Sequence, residues 1–148
     1  MPHGIFQKNG EKMPEYLLDS GILILHLRNQ PGYPELTAHL SDEANTYISA
    51  MSHLEIVRGM RDREHTKTIN LLESFETIPV TGEIADLDGE LIRSWRSRGV
   101  ILGDADAVIA ASALHDGLTL VTTNIRHFPM PELSVLQADE AGALTRRV

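Results

Sequence analysis

Cysteine is absent from this 148-residue chain, which excludes disulfides, a thiolate zinc site and a cysteine nucleophile. Any metal must be held by Asp, Glu, Asn or His. No apolar run approaches the ~18 residues of a membrane span, and the N-terminus lacks the basic-then-apolar layout of a signal peptide. A cytoplasmic protein without a membrane segment is the expectation. Basic charge is also scarce. Lys and Arg number 13 against 21 Asp and Glu, for a net charge of −8, which argues against a non-specific nucleic-acid coat. An enzyme acting on phosphodiesters remains open, because it collects carboxylates to hold cations and needs only a local basic rim. Arg58, Arg61 and Arg63, then Arg93, Arg96 and Arg98, then Arg126 are candidates for that rim, and all are equally explained as solvated helix faces. No G-x-S-x-G elbow, phosphate-cradling G-x-x-x-x-G-K-S/T or H-E-x-x-H occurs.

What is present is a regular alternation of strand and helix signals. Residues 1–13 show neither helical nor alternating periodicity and read as a mobile leader, residues 14–137 as one domain, and 138–148 as a loosely held tail. Within the domain, a strand over Tyr16–Asp19 precedes an apolar helix capped by Asp19-Ser20. The turn signal Asn29–Pro34 opens a helix to about Leu40. A strand over Thr46–Met51 is followed by a helix opened by Ser52, and a helix over about Glu64–Ser74 by a strand at Phe75–Val80. Ile84, Leu87, Leu91 and Trp95 mark an amphipathic helix closing near Gly99. A helix over Asp104–His115 ends at Gly117, and strands follow at Leu118–Thr122 and Leu133–Leu136. Such alternation predicts an α/β fold with a mostly parallel central sheet covered on both faces. The chain is long enough to bury roughly 70% of its unfolded surface.

Four polar positions stand where that fold would gather them. Asp19 and Asn124 end strands, and Glu55 and Asp106 lie in first helical turns, so all four converge beyond the carboxyl ends of the strands. An all-oxygen set on rigid elements suits Mg²⁺ or Mn²⁺. Each residue also has a purely structural explanation. Asp19 can be a helix cap, and Ser52-His53-Leu54-Glu55 fits the capping box S-x-x-E. Asp104 and Asp106 complement a helix dipole, and Asn124 can form a turn. Their conjunction favours a site.

The segments Leu17–Ile24 (LLDSGILI), Ser52–Gly59 (SHLEIVRG), Asp106–Leu114 (DAVIAASAL) and Leu118–Phe128 (LTLVTTNIRHF) resemble the PIN domain, and within it the VapC-type ribonuclease toxins. The resemblance spans about Tyr16 to Leu136. It implies a PIN-like three-layer α/β/α sandwich, Mg²⁺- or Mn²⁺-dependent cleavage of RNA, and a VapB-like antitoxin as partner. The first family acid falls on Asp19, with Ser20 in place of the following hydroxyl. The helix-opening Glu falls on Glu55, and the Asp of the Ala-rich helix on Asp106. The last position, often Asp in the family, is Asn124 here, preceded by Thr122. On this reading Asp19 and Asp106 bind the ion directly, Glu55 acts through a water, and Asn124 completes the shell. Asp104 is a spare carboxylate, and Arg58 and Arg126 are phosphate contacts. Leu23, Leu27, Leu36 and Leu40 offer an apolar face for a partner helix or a homodimer. The rival functional readings are a PIN-like binding or regulatory module with little turnover, and a phosphoacceptor domain using Asp19.

Overall fold

The computed structural model describes residues 7–8 and 11–147, with side chains from Met13 onward. Most of the expected leader 1–13 lies outside the described residues. Its described part, Gln7–Lys8 (β1) and Glu11–Lys12 (β2), pairs antiparallel as a small sheet of its own.

From Glu15 onward the chain alternates as its pattern predicts. Strand β3 (Glu15–Leu18) leads into helices α1 (Ser20–Leu27) and α2 (Tyr33–Glu43), then strand β4 (Asn45–Ser49) into α3 (Ala50–Gly59). A short 3-10 turn precedes α4 (His65–Glu73), and strand β5 (Glu76–Ile78) precedes α5 (Gly82–Arg96) and α6 (Asp104–Asp116). Strands β6 (Thr119–Thr122), β7 (Val135–Ala138) and β8 (Leu144–Arg146) finish the domain. The six-stranded sheet has the order β5-β4-β3-β6-β7-β8, parallel throughout except for the last pair.

Alternation along the strands sorts the core into two layers, because successive side chains of a strand point to opposite faces. Leu17, Tyr47, Leu120 and Val135 face α5 and α6, while Leu18, Ile48, Val121 and Leu136 face α1, α2, α3 and α4. The result is the expected α/β/α sandwich. Ala107, Ala110, Ala111 and Ala113 are buried on α6, and their small side chains let the helix sit close to the sheet. Leu23, Leu36 and Leu40 are buried in the other layer, so the core takes three of the four leucines expected to form a docking face.

Three local expectations are corrected. Helix α3 begins at Ala50, not Ser52: Ser49 ends the strand and its hydroxyl accepts from Met51 N at 3.0 Å, satisfying a free amide of the first turn. Ser52 is therefore inside the helix, and Glu55 belongs to its second turn. Strand β6 ends at Thr122, so Asn124 lies two residues beyond it, at the entrance of the 3-10 turn Ile125–His127. The tail after Gln137 is not loose. It forms β8, and the Arg147 guanidinium donates to the carbonyls of Phe128, Met130 and Leu133, with Leu133 O at 2.8 Å. The turn before β8 is also fixed, since Tyr33 Oη donates to Asp139 O at 2.7 Å.

Candidate active site

The sheet reverses its winding at β3: the chain moves outward from β3 through β4 to β5, then returns to pair β6 on the other side of β3. The crevice beyond the carboxyl ends of β3 and β6 is the place where an open parallel sheet binds ligands. Asp19 stands there. Its N–H donates to Val121 O at 2.8 Å, extending the β3–β6 ladder by one rung. Its carboxylate caps α1 by accepting from Ser20 N at 2.8 Å, and takes the Thr122 hydroxyl at 2.7 Å on its other oxygen. Capping and presentation at the crevice are thus properties of one fixed carboxylate.

Glu55 reaches the same place from α3. Ser20 Oγ lies 2.7 Å from Glu55 Oε1 and 2.8 Å from Ser52 Oγ. A carboxylate only accepts, so the single Ser20 proton goes to Glu55 and Ser52 donates to Ser20. Ser52 is fully buried, so this chain of hydroxyls anchors the half-buried Glu55 to the core. Asp106, in the first turn of α6, completes the trio, with His127 Nδ1 3.2 Å from its Oδ2. Gly103 gives this carboxylate room: a Cβ there would stand 3.1 Å from Asp106 Oδ2.

Electrostatics tie the three acids together. Burial raises the Asp19 carboxyl above its ordinary value, the Thr122 and Ser20 hydrogen bonds pull the other way, and the charges of Asp106 and Glu55 push it up further. Asp106 is raised by burial and by the charge of Glu55, and lowered in part by His127. A cation among these groups would relieve both the desolvation and the repulsion. Among the described residues, no three His, Cys, Asp or Glu already close on one point as a metal cage. Mg²⁺ does not require one, since it retains several waters and uses one or two carboxylates directly. The hard, all-oxygen set of Asp19, Asp106 and Glu55 fits such an ion.

The remaining candidates separate. Thr122 is buried and joins Asp19 to the loop, because its Oγ accepts from Asn124 N at 3.0 Å while its proton goes to Asp19. Asn124 is exposed, and its side-chain Nδ2 lies 3.0 Å from His127 Nε2. Asp104 is not part of the trio. Its charge bears instead on Asp88 of α5, whose carboxyl is raised first by burial and then by Asp104. Two residues apart on a helix is about 200° of rotation, which explains why Asp104 and Asp106 diverge. Arg58 is exposed one helical turn beyond Glu55, and Arg126 is exposed beside His127. Sequence reasoning read Ser52 as a cap and gave His127 no place in the site. The only hint to either was the proximity of each to a candidate ligand in its own motif.

Comparison with known proteins agrees with this geometry. The PIN domain family matches residues 16–130. The chain is 36% identical to Ribonuclease VapC10 of Mycobacterium tuberculosis over 116 residues, covering 78% of this chain and 87% of that one. It is 34% identical to Ribonuclease VapC19 of the same organism over 119 residues, covering 79% and 95%. The fold matches VapBC2 from Rickettsia felis, solved bound to a DNA fragment from the promoter, with a TM-score of 0.72 at 24% identity, covering 82% of this chain and 96% of that one. It also matches DNA-bound VapBC from Salmonella typhimurium with a TM-score of 0.74 at 22% identity, covering 86% and 99%. With 36% identity to a VapC protein over 116 residues and the PIN family match over residues 16–130, the chain belongs to the PIN domain family, in its VapC branch.

Proposed function

We propose that this protein is a Mg²⁺- or Mn²⁺-dependent endoribonuclease and the toxin of a toxin–antitoxin pair in the cytoplasm. The observation that carries the reading is the convergence of Asp19, Glu55 and Asp106 from three separate elements, each held by a hydroxyl or imidazole from elsewhere in the fold. The ribonuclease names of the VapC10 and VapC19 relatives support RNA as substrate.

Asp19 and Asp106 would hold the ion, with Glu55 acting through a water and the Asn124 carbonyl as a neutral ligand. Such an ion supplies charge neutralisation at the scissile phosphate and lowers the pKa of water. The chain's own groups do the positioning. Thr122 and the Ser20 amide fix the Asp19 carboxylate, and Ser20 orients Glu55 toward the attacking water. Arg58 and Arg126 receive flanking phosphates, which offsets the repulsion between RNA and a chain of net charge −8. Water attacks phosphorus in line with the leaving oxygen, and the RNA strand is cut.

A VapB-like antitoxin is the partner on this reading. A groove of about 300 Å³ between α1, α3 and α4, with Leu27 and Ile56 among its apolar lining and Arg28 and Arg61 at its rim, supports docking of a segment with an apolar face and acidic flanks. Leu54 and Val57, exposed on α3, support a homodimer. Incubating the purified protein with RNA, with Mg²⁺ or with EDTA, tests the activity: cleavage should occur only with the ion. An intact RNA pool in both buffers, from a protein shown to be folded, would leave a binding module in its place.

A further inference from the structure

Among the described residues, His127 is the one histidine that touches the acidic trio, and its two ring nitrogens have different partners. Nδ1 lies 3.2 Å from Asp106 Oδ2, and Nε2 lies 3.0 Å from Asn124 Nδ2. An amide nitrogen only donates, so Nε2 must accept from Asn124. A neutral imidazole carries one proton, which is then on Nδ1, the nitrogen 3.2 Å from Asp106 Oδ2. One tautomer satisfies both contacts, and the opposite tautomer would set two donors against each other at Asn124 and two acceptors at Asp106.

Stability gives little reason for this arrangement. The His127 side chain is 55% exposed, and exposed polar pairs contribute roughly 0–1 kcal/mol to folding. Its effect falls instead on two site residues. Asp106 Oδ2 has the bare backbone of Gly103 on one side and the His127 ring on another, so both limit where the carboxylate can turn. Asn124 is committed by its nitrogen, which leaves its carbonyl oxygen as the part of that side chain for ligation. This is the position where the chain carries an amide in place of the family's acid.

We propose that His127 is the positioning residue of this site, fixing the Asp106 carboxylate and the Asn124 amide together so that both present oxygen to a divalent cation. The inference rests on the nuclease reading for its consequence in RNA cleavage, and its geometry can be tested without RNA. Outer partners that orient metal ligands are typically worth about 10–100-fold in metal affinity or activity. Glutamine can copy both contacts, because its amide donates from nitrogen and accepts at oxygen. Alanine copies neither.

The test compares wild type, H127A and H127Q by Mn²⁺ titration calorimetry without RNA, by ring ¹⁵N shifts of the metal-free protein at about pH 8.5, where an ordinary histidine is neutral, and by the Mg²⁺ needed for half-maximal RNA cleavage. Wild type should show the Nδ1–H tautomer. H127A should bind Mn²⁺ about 10–100-fold more weakly and need correspondingly more Mg²⁺, and H127Q should recover most of both. Unfolding midpoints in EDTA should be alike for all three. An Nε2–H tautomer, wild-type Mn²⁺ affinity in H127A, or H127Q no better than H127A would each overturn the proposal. A wild type that cuts no RNA would end the nuclease reading, while the calorimetry and the ¹⁵N shifts would still decide the role of His127.

Discussion

Asp19 shows at the scale of one residue why cap and ligand are not rival explanations. The helix cap that takes the Ser20 amide and the ladder bond to Val121 leave the carboxylate one place to be, at the crevice beside Thr122. Replacing Asp19 or Asp106 by Asn keeps shape and removes charge. RNA cleavage should then fall by more than about 100-fold, since even outer partners of a metal ligand cost up to that much. Cleavage assays on folded variants check this, and near-normal rates would move the site elsewhere. Acid–base behaviour gives an independent check. The Asp19 and Asp106 carboxyls are raised in the fold above their ordinary 3.8, so the unfolded chain loses these protons first. Their contribution to stability therefore declines as pH rises through 3.8 and the raised folded values, and the full cost is present above both. In EDTA, the D106N variant should gain on wild type in unfolding midpoint as pH rises from 3.8 through the raised folded value. A constant gap between the two curves would contradict the shift. N124D adds a fourth carboxylate, and should lower the Mg²⁺ required for half-maximal cleavage. An unchanged requirement would place residue 124 outside the ion's shell.

At the scale of elements, close approaches of backbone position the site and hold the chain's end. Gly21, in the first turn of α1, brings that helix against the loop after β6, where an added Cβ would stand 2.8 Å from Thr123 Oγ1. Gly32 has φ +91° and caps α2, and a Cβ there would collide with Ala141 O at 1.8 Å. G32A combines a strained backbone with overpacking against main chain and should cost about 3 kcal/mol or more. Chemical denaturation measures it, and a loss below about 1 kcal/mol would mean that the turn before β8 is free to move. These turns were only partly legible. The dense signal around Gly32 announced a turn, but its partner 109 residues later in the chain could not be read from local pattern, and the tail was accordingly expected to be loose. Ser49 and Ser52 show the same limit: both are plausible caps, and only the length of β4 decides that Ser49 caps while Ser52 turns inward to Ser20.

At the scale of the whole molecule, the sheet gathers like charge at one end, and a cation bound there would relieve the repulsion. A divalent ion that binds the folded chain and not the unfolded one stabilises it by about 2.7 kcal/mol at 100 times its dissociation constant. For a chain of this size that is about 5–10 °C in unfolding midpoint. Thermal scans in EDTA and in millimolar Mg²⁺ should differ by this order, and the difference should shrink in D106N. Coincident midpoints, with no heat on Mg²⁺ titration, would remove the ion from the account.

The strand–helix alternation, the parallel sheet and the three acids were legible from the sequence, because hydrophobic period, caps and glycine stops are written into neighbouring residues. Asp19, Glu55 and Asp106 could be named because an α/β chain delivers the ends of its strands and the beginnings of its helices to one side. What only tertiary structure decided were contacts between residues far apart in the chain, whose partners carry no local signal. The hydroxyl chain from Ser52 through Ser20 to Glu55 crosses from one helix to another. Asp104 acts on Asp88 of α5 and not on the trio because helical rotation, not sequence adjacency, determines which carboxylate meets the crevice. His127 reaches Asp106 across 21 positions, joining the site through a close polar contact that exists only once the loop after β6 has packed beside α6.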